Sequence, residues 1–427
     1  MISFEPETAT LFNENVDIRV SKLQPRQRVT VGLRIKRDGN WFVSHGWFEA
    51  DTDGCVAVNE MESCGGSFKE QLQMGLFWCL QPAASQRPGI RFMPRDVTEP
   101  CVYEVVVCDG FRDPWDDQMS TVLDKKYLTR HFYDRDLIER VRVRHGGVRG
   151  VLYYPKRLAP HERLPAVADI YGTAGHIIEH RATVLASQGF VVLCLPYFMY
   201  EDLPTKLYDV DLSYFENAIH WLSDLPFVIS NRIGLVGISF GAIIGMYLST
   251  VCDKISAVVS INGECMFEPL FPIKYRNHLL PDVSERLKDA SMFEYMGFKQ
   301  SLHPMDPLIH PLERSHAHYL LVISSDDGSV DTSHAAQLLH QRMKHHKQTH
   351  RIEMLTLAGA GHLVEPPFMP VCLESFHKIF GNLVSWGGDL VPHARAQQKA
   401  WYYLIDTLKK YAGTPKNLSV RKCKSRI

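Results

Sequence analysis

The segment that most restricts what this chain can fold into is Gly237-Ile-Ser-Phe-Gly241, because of what flanks it. The run Ile233-Gly-Leu-Val236 before it is short and apolar, as in a strand buried on both faces. Ala242-Ile-Ile-Gly-Met-Tyr-Leu248 after it continues as an apolar helix. A strand that becomes a helix within five residues needs glycine on both sides of the apex, where side chains would collide with the turn or with the helix. The apex residue, Ser239, is then held in a strained backbone conformation, and its hydroxyl is lifted above the carboxyl edge of the sheet. Ser239 is therefore a candidate nucleophile.

A serine hydroxyl is a weak nucleophile at neutral pH, so it needs a base, and the base needs a carboxylate to fix its tautomer. With a strand-turn-helix nucleophile the chain order is serine, acid, histidine. The apolar run Tyr319-Leu-Leu-Val-Ile323 ends in Ser324-Ser-Asp-Asp-Gly-Ser-Val330, so Asp326 and Asp327 both stand just past a strand end. Asp327 is the favoured acid, with Val330 anchoring the loop and Asp326 capping the turn. The run Ile352-Glu-Met-Leu-Thr-Leu357 leads into Ala358-Gly-Ala-Gly-His362, and this small-residue loop nominates His362 as the base. The oxyanion of an acyl-transfer intermediate needs two backbone donors. Phe240, next to the nucleophile, is one, and Thr173, in the compact loop Tyr171-Gly-Thr-Ala-Gly175, is the other.

The rest of the chain changes period near its first third. Between residues 16 and 110, Val29, Val31, Leu33 and Ile35 alternate with Arg28, Thr30, Arg34 and Lys36, and Asp38-Gly-Asn40 turns the chain back into Trp41 and Val43. Val56-Ala-Val58 and Cys101 to Cys108 add further strands. An all-β, immunoglobulin-like sandwich is the economical fold for this half. Beyond residue 140, apolar runs at 165–170, 191–195, 233–236, 257–261, 319–323 and 352–357 alternate with helical stretches at 178–188, 212–224, 240–251, 333–345 and 393–411. That pattern implies a parallel sheet covered on both faces, an α/β domain. With 427 residues two domains are expected, at 1–140 and 141–412, followed by an exposed basic tail at 413–427. The linker is expected near Arg130 to Gly150, where charges are dense and His145-Gly-Gly147 interrupts the pattern.

Several functions are set aside on composition. Lysine plus arginine is 47 against 48 for aspartate plus glutamate, so bulk charge gives no reason to expect nucleic acid or a membrane surface as partner. No stretch has the length and apolarity of an integral membrane segment, and Met1-Ile-Ser-Phe-Glu-Pro-Glu7 lacks the basic start and apolar run of a signal peptide, which points to a soluble intracellular protein. Ten cysteines without a CxxC pair argue for reduced, mostly buried thiols. His176-Ile-Ile-Glu-His180 spells an inverted zinc-peptidase pattern, but without a third ligand, and it lies beside a site already furnished with a nucleophile; no metal and no cofactor is expected.

These residues resemble one family: the two-domain acyl-CoA thioesterases and bile acid-CoA:amino acid N-acyltransferases, in which a β-sandwich precedes an α/β-hydrolase domain. The resemblance is carried by Asp169-Ile-Tyr-Gly-Thr-Ala-Gly175 with Glu179-His-Arg-Ala182, Pro196-Tyr-Phe-Met-Tyr-Glu-Asp-Leu-Pro204, Asp211-Leu-Ser-Tyr-Phe-Glu216, Gly237 to Ala242, Ser325-Asp-Asp327, Gly361-His-Leu-Val-Glu-Pro-Pro367, Trp386-Gly-Gly-Asp389 and His393-Ala-Arg-Ala-Gln397. It implies an acyl-CoA substrate and Ser239, Asp327 and His362 as catalytic residues. Members that conjugate glycine or taurine carry cysteine at the nucleophile, so Ser239 fits hydrolysis. His176 stands where members usually have glycine, and Phe240 where they often have lysine.

The expected activity is thus hydrolysis of fatty acyl-CoA to fatty acid and coenzyme A through an acyl-serine. An acyl-CoA:amino acid N-acyltransferase, a carboxylesterase or lactone hydrolase of the same fold, and a non-enzymatic scaffold are the alternatives. The chain closes on Ser425-Arg426-Ile427, small, basic and aliphatic like the Ser-Lys-Leu signal, so a peroxisomal import receptor is an expected partner and the peroxisome the expected address, with the cytosol otherwise. Residues 264 to 313, with Met266, Phe267, Phe271, Met292, Phe293, Met296 and Phe298, could supply walls for an acyl chain.

Overall fold

In the computed structural model, which describes residues 1–7, 9–115, 121–267, 273–281 and 292–418, the alternating run around Val31 forms the strand Arg28–Arg37. It is hairpinned to Asn40–Glu49 with Arg37 facing Asn40. Asp38 and Gly39 both take positive φ, 48° and 83°, the two-residue turn whose twist suits a right-handed hairpin. Val29, Val31, Leu33 and Ile35 are all buried, as period two requires of one face. The hairpin belongs to a six-stranded sheet that also contains Cys101–Asp109 and Val122–His131. A second, three-stranded antiparallel sheet joins Ile2–Glu5, Asp17–Val20 and Val56–Ala57. Together with residues Ala358–Lys399 these elements make one compact unit, Met1–Tyr133.

The other unit comprises Asp134–Leu357 and Ala400–Ile427. The strands of its main, eight-stranded sheet are β1 (Ile138–His145), β2 (Val148–Pro155), β3 (Ala166–Ile170), β4 (Val191–Cys194), β5 (Ile233–Ile238), β6 (Ile255–Ile261), β7 (His318–Ser324) and β8 (Ile352–Leu357), in sheet order 1-2-4-3-5-6-7-8. β1, β2 and β4 pair antiparallel, and all the remaining pairs are parallel. Every residue of β3, β4 and β5 is buried, which is why these runs do not alternate. The helices are α1 (His180–Ser187), α2 (Leu212–Ser223), α3 (Phe240–Leu248), α4 (Met292–Ser301) and α5 (Thr332–His345), and Leu390–Tyr411 is helical as well. The chain leaves β3 towards β4 on one side and returns to β5 on the other, so the loops after β3 and β5 flank a crevice at the carboxyl edge, where open α/β sheets hold their ligands.

One expectation fails here. The two units divide at Tyr133/Asp134, within the stretch Arg130 to Gly150, but from Ile138 on that stretch is ordered strand: it contains β1, which pairs with β2 along its whole length, and the expected boundary at 140/141 falls inside that strand. The dense charges are an edge strand's outward and ion-paired side chains. Arg140 grips Glu179 through two hydrogen bonds at 2.8 and 2.9 Å, and Arg142 and Arg144 both hold Glu201. His145 and Val148 close the hairpin across Gly146 and Gly147, both at positive φ.

Candidate active site

Ser239 sits between β5 and α3 with φ 56° and ψ −126°, a region that L-residues enter only under strain. Its N–H donates to Ile261 O at 2.8 Å, at the end of the neighbouring strand β6, and its carbonyl accepts from Ala242 N and so opens α3. Both flanking glycines are required by space. A Cβ on Gly237 would lie 2.6 Å from Ala242 Cα, and one on Gly241 2.9 Å from the carbonyl carbon of Ile170. The elbow therefore presses against the end of β3.

The loop after β3 approaches the nucleophile directly. A Cβ placed on Gly172 would stand 3.1 Å from Ser239 Cβ and 3.6 Å from Ser239 Oγ, so the Gly172–Thr173 peptide borders the serine. Gly175 and His176 follow at φ 68° and 60°. His176 thus takes a left-handed backbone that glycine would adopt at no steric cost, and the loop is held there by the bond from His176 N to Phe198 O, 3.1 Å. Within the same pattern Glu179 is buried and taken up by Arg140 and by the Tyr153 hydroxyl, an ion-pair role that explains its presence without a metal.

Past the end of β7, Asp326 is exposed and accepts from Ser325 Oγ at 3.2 Å, whereas Asp327 is half-buried. Asp327 Oδ1 accepts from Ser329 N and Val330 N at 2.8 and 2.9 Å. Asp327, not Asp326, therefore closes the turn, and the two backbone donors fix the plane of its carboxylate.

Ser239, Phe240, Thr173 and Asp327 belong to one unit; His362 lies in the segment Ala358–Lys399 of the other. There His362 is 1% exposed, its backbone N–H donates to Trp386 O at 2.8 Å, and its ring stacks on the Trp386 indole at 5.6 Å between centroids. The residues before and after it are held by His393, to which the sequence motif alone assigns no role. Gly361 N donates to Nδ1 of the fully buried His393 at 3.0 Å, and His393 Nε2 lies 3.0 Å from Leu363 O. Gln397, one turn on, accepts from Glu365 N at 2.9 Å and donates to Met369 O at 3.2 Å. The spacing His393-x-x-x-Gln397 puts both side chains on one helix face, a signal visible in the sequence. Burial holds the His393 imidazole below the usual histidine range, which keeps Nδ1 free of a proton and able to accept.

Of the residues expected to line an acyl chain, Met266 and Phe267 are buried and Phe267 packs edge-on to His310, while Phe271 lies outside the described residues, as does the tail from residue 419 with Ser425, Arg426 and Ile427. Among the described residues no helix is long and apolar enough to cross a membrane.

Two family profiles match the chain. The one described as the BAAT / acyl-CoA thioester hydrolase C terminal covers residues 210–414, and the acyl-CoA thioester hydrolase/BAAT N-terminal region covers 13–145. Among relatives, the bile acid-CoA:amino acid N-acyltransferase of Mus musculus is 33% identical over 412 residues, 94% of this chain and 96% of its own. The peroxisomal succinyl-coenzyme A thioesterase of the same organism is 31% identical over 425 residues, 97% of each chain. Of solved structures, an esterase of Pyrococcus furiosus aligns at a TM-score of 0.39 with 15% identity, over 65% of this chain and 93% of that one.

Proposed function

The chain belongs to the acyl-CoA thioester hydrolase/BAAT family, and we propose that it hydrolyses fatty acyl-CoA to fatty acid and coenzyme A, with Ser239 as nucleophile. The observation that carries the serine assignment is the backbone of Ser239, strained at φ 56° and ψ −126° beside the Gly172–Thr173 peptide. Strain of that kind persists only where the surroundings impose it, and here it serves to present Oγ.

In this reading His362 takes the serine proton as Oγ attacks the thioester carbonyl, and Asp327 orients His362. The N–H groups of Phe240 and Thr173 hold the tetrahedral oxyanion. Collapse expels the coenzyme A thiolate, which accepts a proton from His362. Water then attacks the acyl-serine by the same path in reverse order. No metal or cofactor is called on. The reading of the unit containing Met1–Tyr133 as an immunoglobulin-like sandwich draws support from its antiparallel strands, and that of the unit beginning at Asp134 as the catalytic α/β-hydrolase domain from the strand order 1-2-4-3-5-6-7-8. Ser425-Arg426-Ile427 is proposed as the peroxisomal address read by an import receptor, a reading supported by a relative whose name is peroxisomal.

A second reading, transfer of the acyl group to an amino acid, is favoured by the likeness to the N-acyltransferase. The test is a panel of acyl-CoAs from short to very long, with coenzyme A release followed in the presence and absence of glycine and taurine. Thiol release with free fatty acid as sole acyl product is expected; acyl-glycine or acyl-taurine would install the second reading, and turnover of simple esters but no acyl-CoA would remove both.

A further inference from the structure

Tyr197, on the chain leaving β4, is 3% exposed and its hydroxyl donates to Gly172 O at 2.7 Å, with Tyr171 O at 3.2 Å. Gly172 O and the Thr173 N–H belong to a single planar peptide, and across a trans peptide the two point in opposite directions. A hydrogen bond that ties the oxygen to Tyr197 therefore turns the N–H to the far side. Gly172 has no side chain to resist rotation of this peptide, so the bond from Tyr197 is a restraint on its orientation. The bond also polarises the peptide, because a carbonyl that accepts makes its own N–H a stronger donor. The ring of Tyr197 is itself held, 5.1 Å from Phe198 and 5.3 Å from Phe215, and 6.4 Å from Phe240, whose backbone carries the other donor of the proposed oxyanion pair.

We propose that Tyr197 is a positioning residue for the reaction: its hydroxyl, bonded to Gly172 O, aims and strengthens the Thr173 N–H that receives the thioester oxyanion. This rests on the reading of Thr173 as that donor. The hydroxyl is suited to the task because burial raises its pKa, so it remains a donor wherever the enzyme is folded.

The experiment compares the full-length enzyme with Tyr197→Phe and with 4-fluorophenylalanine placed at 197, which fills the tyrosine's volume without an O–H donor. Removing a single oxyanion donor outright costs about 10²–10³ in kcat, so loss of its aim is expected to lower kcat about 10–100-fold with KM within about twofold. An alkyl trifluoromethyl ketone, which forms a tetrahedral adduct with the serine, should bind more weakly by the same factor, while a thioether analogue of acyl-CoA, with no carbonyl to attack, should bind unchanged. Tyr319→Phe, which removes another buried hydroxyl, bonded to Ser249 Oγ at 2.8 Å, should leave kcat and ketone affinity unchanged. The inference is overturned if both Tyr197 variants keep kcat and ketone affinity within twofold. It is equally overturned if thioether binding weakens as much as ketone binding, or if Tyr319→Phe matches their loss. Ser239→Ala separates the two readings: if it retains turnover the serine mechanism itself fails, whereas an inactive Ser239→Ala beside fully active Tyr197 variants removes only the role of Tyr197.

Discussion

The N–H of Gly361 donates to Nδ1 of His393 across 32 residues of sequence, so the peptide leading into His362 is pinned by a second histidine. Because Nδ1 accepts, the proton of the neutral ring sits on Nε2, from which it reaches Leu363 O. One imidazole thus spans the residue before His362 and the residue after it.

Removing that brace should misplace the base. His393→Ala is expected to reduce kcat about 10–100-fold and to cost roughly 2–4 kcal/mol of stability, since it strands two buried backbone groups and leaves a cavity. His393→Asn, which can still accept from Gly361, should recover part of both. Thiol-release kinetics together with urea unfolding measure the two effects, and an alanine variant with unchanged kcat would limit His393 to packing.

The acid assignment is tested on a pair of neighbours. Ser239→Ala should abolish turnover with the fold intact, and Asp327→Asn should lower kcat by about 10⁴-fold through loss of the tautomer lock. Asp326→Asn should stay within about twofold, because that carboxylate is exposed and accepts from the adjacent Ser325 hydroxyl. Should Asp326→Asn be the crippling change, Asp327 is the turn-former alone.

Acid stability should depend on His310. It is 2% exposed, packed edge-on against the rings of Tyr247 and Phe267, and burial, helped by the charge of Arg342, pushes its pKa down to about 3. In the unfolded chain it takes up a proton near its ordinary value of 6.5. Between about 3 and 6.5 the unfolded state therefore binds more protons, and stability falls as pH falls through that window while being fully present above it. The slope owed to this group is about 1.4 kcal/mol per pH unit. Urea unfolding from pH 7 to 4 should show His310→Leu losing less stability than the parent by that slope; parallel curves would assign the acid sensitivity elsewhere.

The address is tested apart from catalysis. A fluorescent reporter carrying the last twelve residues is expected to collect in punctate peroxisomes, and deletion of Ile427 should disperse it. A diffuse signal that the deletion leaves unchanged would return the protein to the cytosol.

The fold of the second unit could be read from the sequence because buried parallel strands must be apolar throughout and helices must be amphipathic, so 191–194, 233–238 and 318–324 stand out by composition alone. The elbow was readable for a stronger reason: only glycine fits at 237 and 241, so the sterics are written into the letters. β1 was not readable, because an edge strand of alternating arginines has the composition of a linker until its partners Glu179 and Glu201 are brought beside it. The same holds for Tyr197 and His393. Local sequence fixes which residue can be a nucleophile, but the aim of a peptide or the tautomer of an imidazole is set by hydrogen bonds from residues 25 and 32 positions away, and only the tertiary structure brings those donors and acceptors within 3 Å.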